Sequence, residues 1–168
     1  DEFGYAVAPT ATLEAAGERV SSTRIRAALE VGDFDDAAQL LGRPFELAGR
    51  VQHGQKLGRQ LDAPTANIAL HRIRSPLQGV YAVSVWGGGL EGAQGVANVG
   101  VRPTIGERLE ATLEVHVLQG SPDLYGERLT VRFRHKLREE QKFPSLEALK
   151  AGIKADKANA SAWLNDHG

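Results

Sequence analysis

Two stretches of this chain carry side chains whose types and spacing could do chemistry together. In the first, Gly54 and Gly58 bracket Lys56, Arg59 follows, and the run closes on Pro64-Thr65-Ala66-Asn67. Glycine lets the backbone turn with positive φ and lets a ligand approach the main chain closely. A bent run of this kind can aim successive N–H groups at one anion, and Lys56 and Arg59 add positive charge beside those donors. Thr65 offers a hydroxyl oxygen and Asn67 an amide oxygen, both hard ligands suited to Mg²⁺ already carried by a nucleotide. If a strand begins at Ala66, alternation of side chains turns Thr65 and Asn67 the same way. The plain alternative is an ordinary surface loop leading into a strand. No Gly-Lys-Ser/Thr follows the second glycine, so the run is not a Walker A loop.

The second stretch is Thr112-Leu113-Glu114-Val115-His116-Val117. Leu113, Val115 and Val117 fall on one face of a strand, and Glu114 and His116 on the other. A mid-strand glutamate facing outward is either a solvated side chain or a proton acceptor held on a rigid element. The pattern alone leaves both open. His116 reads as structural, and His53, His71, His135 and His167 show no metal-like or triad-like grouping in sequence.

The elements that must hold these residues are legible from periodicity and punctuation. Ser21-Ser22-Thr23 supplies N-cap chemistry for a first helix ended by Gly32. Asp33 caps a second, Phe34 to Leu41, stopped by Gly42 and Pro44. From Phe45 the period changes to two. Strand candidates are Phe45 to Val51, Val80 to Trp86, Ala93 to Val99, Ala111 to Leu118 and Leu129 to Phe133, with a further one beginning at Ala66. Turn signals separate them at Gly87-Gly88-Gly89, Arg102-Pro103-Thr104, Ser121-Pro122-Asp123 and Tyr125-Gly126. Many short strands without intervening helices indicate an antiparallel barrel or sandwich. Ser145 caps a final helix with an apolar stripe through Leu146, Leu149, Ile153, Trp163 and Leu164, in which Gly152 is a candidate bend. Tyr5 to Ala8 is a short alternating run near the start.

Composition narrows the function classes. A chain of 168 residues suits one main domain and a fragment of another. Net charge is −1, which argues against a nucleic-acid binder and against binding to an anionic membrane. Cysteine is absent, which removes disulfides, thiolate metal sites and cysteine nucleophiles. No apolar run is long enough to span a membrane. The start lacks the basic segment of a signal peptide, and the chain has no methionine, so the expectation is a piece of a longer, cytoplasmic protein, monomeric as it stands.

Taken in order, His53-Gly54, Leu57-Gly58-Arg59, Pro64-Thr65-Ala66-Asn67, Asn98-Val99-Gly100-Val101-Arg102-Pro103-Thr104, Leu113-Glu114-Val115-His116, Asp123-Leu124-Tyr125-Gly126 and Leu137-Arg138-x-Glu140-x-Lys142-Phe143 form a recognisable series. It resembles the riboflavin kinase module of bacterial bifunctional riboflavin kinase/FAD synthetases. Asp62-Ala63 departs from the Gly-Phe that usually precedes the proline there. The resemblance implies a mainly β fold, a six-stranded antiparallel, Greek-key-like barrel with a C-terminal α-helix, over residues 45–168. It implies transfer of the ATP γ-phosphoryl group to the ribityl 5′-hydroxyl of riboflavin, giving FMN and ADP with Mg²⁺ as cofactor. By the same resemblance Glu114 is the catalytic base, Thr65 and Asn67 hold the metal, Gly54, Lys56, Gly58 and Arg59 cover the nucleotide phosphates, and Arg138 contacts the flavin side.

Val20-Ser21-Ser22-Thr23-Arg24-Ile25-Arg26 resembles the closing phosphate-binding motif of that family's FMN adenylyltransferase domain. Residues 1–44 are thus expected to be the tail of such a domain, a short helical segment that precedes the barrel rather than a whole nucleotide site. The upstream His-x-Gly-His-type motif is not among these residues, so FMN rather than FAD is the expected end product. Two other classes remain to be set against an enzyme. A non-catalytic flavin-binding barrel would not need Glu114 or metal ligands, and a nucleic-acid-binding barrel would want a basic face rich in aromatics.

Overall fold

The computed structural model describes residues 14–15, 18–52, 65–70, 75–103 and 109–167. A two-residue hairpin, β1 (Glu14–Ala15) with β2 (Glu18–Arg19), leads into helices α1 (Ser22–Val31) and α2 (Phe34–Leu41). The strands β3 (Glu46–Gln52), β4 (Ala66–Ala69), β5 (Gly79–Gly87), β6 (Leu90–Pro103), β7 (Leu109–Val117) and β8 (Arg128–Arg138) follow, and α3 (Leu146–His167) ends the chain. All six long strands form one closed antiparallel barrel in the order β3-β4-β7-β6-β5-β8, as the sequence implied. The expected run at Tyr5 to Ala8 lies outside the described residues.

Local chemistry accounts for the ends of these elements. Ser21 Oγ accepts from the Arg24 amide at 3.2 Å and Asp33 Oδ1 from the Asp36 amide at 2.9 Å, each satisfying a donor that the first helical turn leaves unpaired. The β5–β6 hairpin turns on Gly87, Gly88 and Gly89, at φ values of 101°, 60° and 84° that side chains rarely tolerate. The barrel interior is filled by alternate residues: Ile68 on β4, Tyr81, Val83 and Val85 on β5, Ala97 and Val99 on β6, Leu113 and Val115 on β7, and Leu129, Val131 and Phe133 on β8.

The three helices pack on the barrel in two places. Helices α1 and α2 share the barrel's own core. Phe34 lies edge-on to Tyr81 at 5.8 Å and stacks on Phe133 at 6.0 Å, and Phe45 adds a fourth ring at 5.9 Å from Phe133. Aromatic pairs of this kind add about 0.5–1.5 kcal/mol each beyond the area they bury. Helix α3 covers the outer face around β5, where Ala160 and Leu164 meet Ala82 with Val96, Leu137 and Trp163 around them. Covered on both sides, β5 is buried over seven consecutive residues.

Three sequence expectations are revised. Gly152 does not interrupt α3, which runs unbroken; a Cβ there would sit 2.4 Å from Phe143 Cζ, so the glycine seats that ring. Arg102 and Pro103 continue β6 rather than turning, because β7 pairs with them through Glu110 and Leu109. Strand β8 runs from Arg128 to Arg138, past the expected end at Phe133 and into the Leu137-Arg138 motif. Among the described residues no helix is long and apolar enough to cross a membrane.

Candidate active site

Strand register assembles the candidate residues. Gln52 on β3 pairs with Asn67 on β4, Asn67 with Glu114 on β7, Glu114 with Asn98 on β6, Asn98 with Val80 on β5, and Val80 with Arg138 on β8. Residues directly paired across strands project to the same face. One continuous row therefore crosses all six strands on the outer face of the barrel, opposite the interior set of Ile68, Leu113 and Val99. Its middle is polar: Asn67, Glu114 and Asn98 occupy three adjacent strands, with Cβ neighbours about 4.5–5.5 Å apart by the geometry of such pairs. These are backbones held by ladder hydrogen bonds over a packed core, a rigid mount for groups that must act together.

Asn67 and Glu114 were both singled out by sequence, and the fold brings them side by side. Each is half-buried. Thr65 stands two positions before Asn67, just ahead of β4. Gly54, Lys56, Gly58 and Arg59 lie outside the described residues. Thr65 and Asn67 fit a nucleotide-borne Mg²⁺ in chemistry, since both offer neutral hard oxygens, and Asn67 pairs in register with Glu114. Among the described residues there is no group of three His, Cys, Asp or Glu that could cage a metal without help.

Arg138 sits at the far end of the row and is heavily engaged. Its Nε and Nη2 donate to Asp156 Oδ1 and Oδ2 of α3 at 2.8 and 2.7 Å, and its Nη1 to the Glu139 carbonyl at 2.9 Å. Phe143 lies under the guanidinium at 5.5 Å. Arg138 thus ties the barrel, α3 and the segment between them into one body. That segment turns back over β6: a Cβ on Gly100 would meet Glu140 Oε1 at 2.5 Å, so Glu140 stands directly over the outward side of Gly100, two residues from Asn98.

Two features escape sequence reading. Asn98 Oδ1 is buried without a hydrogen-bond partner, whereas the sequence placed Asn98 in a motif that suited a structural turn as well as a ligand contact and did not single out its side chain. The signal that could have drawn attention to it is an amide at an outward position of a strand otherwise made of Val, Ala and Gly. His135 and His167, ungrouped in sequence, flank Trp163 in a parallel stack at 4.9 and 4.4 Å, which fastens the end of α3 to β8.

A closed six-stranded barrel with a carboxylate and amides in register on its outer face can hold the groups that a transfer to an alcohol needs. Comparison with known proteins gives the family. The riboflavin kinase (flavokinase) family matches residues 41–164, and this chain belongs to it. The bifunctional riboflavin kinase/FMN adenylyltransferase of Pseudomonas fluorescens is 58% identical over 161 residues, covering 95% of this chain and 51% of that protein. The protein of the same description from Escherichia coli K12 is 46% identical over 163 residues, 97% of this chain and 52% of that one. The chain therefore spans about half the length of the curated relatives it matches.

Solved structures agree on the fold. One described as a macrolide-efflux protein from Streptococcus pneumoniae superposes with a TM-score of 0.77 at 34% identity, over 90% of this chain and 50% of that one. A riboflavin kinase from Trypanosoma brucei superposes with a TM-score of 0.53 at 26% identity, over 73% of this chain and 80% of that one.

Proposed function

We propose that this chain phosphorylates riboflavin at the ribityl 5′-hydroxyl, using ATP and releasing FMN and ADP. The observation that carries the reading is the register Asn67–Glu114–Asn98 inside a domain of the riboflavin kinase family. Glu114 acts as general base. Its carboxylate takes the hydroxyl proton as the oxygen attacks the γ-phosphorus, and the bond to the β-bridging oxygen breaks to leave ADP. Thr65 and Asn67 would hold the Mg²⁺ carried by ATP, which would supply charge neutralisation at the phosphate oxygens. Gly54, Lys56, Gly58 and Arg59 cover the phosphates with backbone donors and positive charge. Phosphoryl transfer asks the protein for little beyond positioning and charge stabilisation, and a rigid row of side chains supplies the first of these.

Arg138 serves the flavin side by fixing, through Asp156, the segment that crosses β6. Residues 1–44 represent the tail of an FMN adenylyltransferase domain, a reading supported by the bifunctional relatives and by the Ser21-to-Arg26 motif at the start of α1. The protein works on small molecules in the cytoplasm, as a monomer, with neither nucleic acid nor membrane as partner. The test is to incubate the purified chain with riboflavin, ATP and Mg²⁺ and resolve flavins by chromatography. FMN accumulating in step with ADP is the expected result; riboflavin unchanged after long incubation overturns it.

A further inference from the structure

Asn98 is the residue of the polar row that the proposed chemistry leaves without a task. Its Oδ1 is shut off from solvent and accepts no hydrogen bond. Burial excludes bulk water as a standing partner, and buried acceptors in folded proteins are nearly always satisfied. The group that satisfies this one comes from outside the chain: an ordered water, or a substrate hydroxyl that takes that water's place.

Direction along the row says which group. Asn67 marks the phosphate side, and Glu114 marks the oxygen that attacks. In-line displacement sets the leaving group and the attacking oxygen on opposite sides of phosphorus. The remainder of the acceptor molecule must then run away from Asn67, toward β6, where Asn98 is the next side chain in register. Beyond Asn98 the row turns apolar at Val80, which is 4% exposed, and then ends in the Arg138–Asp156 pair. Glu140 over Gly100 walls the same stretch. A polyol chain entering there meets one neutral acceptor immediately after the base.

We infer that Asn98 Oδ1 accepts a hydrogen bond from the acceptor hydroxyl adjacent to the one phosphorylated, and so selects a vicinal polyol end over a simple primary alcohol. The inference rests on the riboflavin kinase reading. A site built to accept from a substrate hydroxyl rejects the analogue lacking it, because its own polar atom is then left unpaired. A second consequence concerns the free protein. An acceptor that makes no hydrogen bond contributes none to folding, so an apolar β-branched residue at this strand position does not weaken the fold.

The experiment compares the parent chain with Asn98→Val on riboflavin and on 4′-deoxyriboflavin, with melting curves for both proteins. The parent should lose roughly 10–100-fold in kcat/KM on the deoxy substrate, in the range expected for one substrate hydrogen bond. Asn98→Val should lose about as much on riboflavin, should not distinguish the two substrates, and should melt at or above the parent temperature. Equal handling of both substrates by the parent overturns the inference, as does a variant that still discriminates. So does a variant that melts several degrees lower and loses activity equally on both, since that is what a structural asparagine would do. If the parent makes no FMN from riboflavin at all, the functional reading fails and takes this inference with it.

Discussion

The ion pair between Arg138 and Asp156 is the clearest place to perturb the body that carries the site. Asp156 is 6% exposed, on the inner side of α3, and both of its oxygens are used by one guanidinium. Arg138→Ala leaves that carboxylate buried and alone, and removing one partner of a buried pair costs about 3–5 kcal/mol. Asp156→Ala is milder. The guanidinium keeps the Glu139 carbonyl, and its side chain is 25% exposed against 9% for the aspartate. The loss is then nearer the roughly 1.5–3 kcal/mol of a hydrogen bond to a charged group. At about 2–4 °C per kcal/mol for a chain of this size, the melting temperature should fall on the order of 10 °C for the arginine variant and roughly half that for the aspartate variant. Arg138→Met with Asp156→Leu should recover most of the loss, because apolar replacement of a whole buried pair is often neutral. Urea titrations followed by circular dichroism give the three values, and the KM for riboflavin gives the functional readout. Equal KM in the two single variants indicates that Arg138 works through α3; a larger rise for Arg138→Ala indicates direct flavin contact. Single variants within about 0.5 kcal/mol of the parent would refute the reasoning, and would mean that the Ala82, Ala160 and Leu164 contacts hold the helix without help.

Glu114→Gln should lower FMN formation by roughly 10²–10⁴-fold with an unchanged melting curve, as loss of a general base does; activity within a few-fold of the parent contradicts the assignment. Calorimetry should detect little binding of Mg²⁺ alone and clear binding with Mg²⁺ and ADP, because Thr65 and Asn67 bring no charge to strip water from the ion. Burial pushes the Tyr81 hydroxyl up to about 12, helped by the negative charge of Glu139 and opposed by its hydrogen bond with the Gln78 backbone. The unfolded chain gives up that proton near its ordinary value of 10.0 while the folded chain keeps it. Stability should hold below pH 10 and fall by about 3 kcal/mol as pH rises toward 12, a slope that urea melts on Tyr81→Phe should lack. Gly152→Ala should destabilise: the helix-propensity gain of about 1 kcal/mol is outweighed by roughly 1–3 kcal/mol of overpacking on Phe143, and thermal melts of the variant with and without Phe143→Leu should show the relief.

What could be read from sequence was what neighbouring residues decide among themselves. Asp33 and Gly42 bound α2 because cap chemistry is local, and its observed limits, Phe34 and Leu41, are the expected ones. Leu113, Val115 and Val117 pointed inward and Glu114 outward because alternation is a property of the strand itself. The residues that escaped are those whose surroundings come from far along the chain. Nothing local in the sequence marks Asp156 out, because the partner that buries it, Arg138, comes from β8. Strand β8 looked shorter than it is because its last residues pair with β5 across irregularities at Val80/Tyr81 and Ala82/Val83. Phe34 passed as a helix residue, although its partners Tyr81 and Phe133 belong to the barrel. The Asn67–Glu114–Asn98 row was partly legible, since its members lie in recognisable motifs and two of them carried expected roles, but the register that unites them exists only in the closed sheet.

Closure of that sheet also sets an order of events in synthesis. Strand β3 is the first of the six to leave the ribosome, yet one of its two partners is β8, and Glu46 pairs with Arg132, 86 residues later. At about 5–20 residues per second, β3 waits roughly 4–17 s with one edge unpaired. An unpaired edge is a template for the wrong strand, including one from another nascent chain. Helices α1 and α2 emerge before it, but Phe34 cannot bury itself until Tyr81 and Phe133 arrive. The last strand made is therefore also the latch, and slow or interrupted translation past Arg128 should raise aggregation far more than the stability of the finished barrel would suggest.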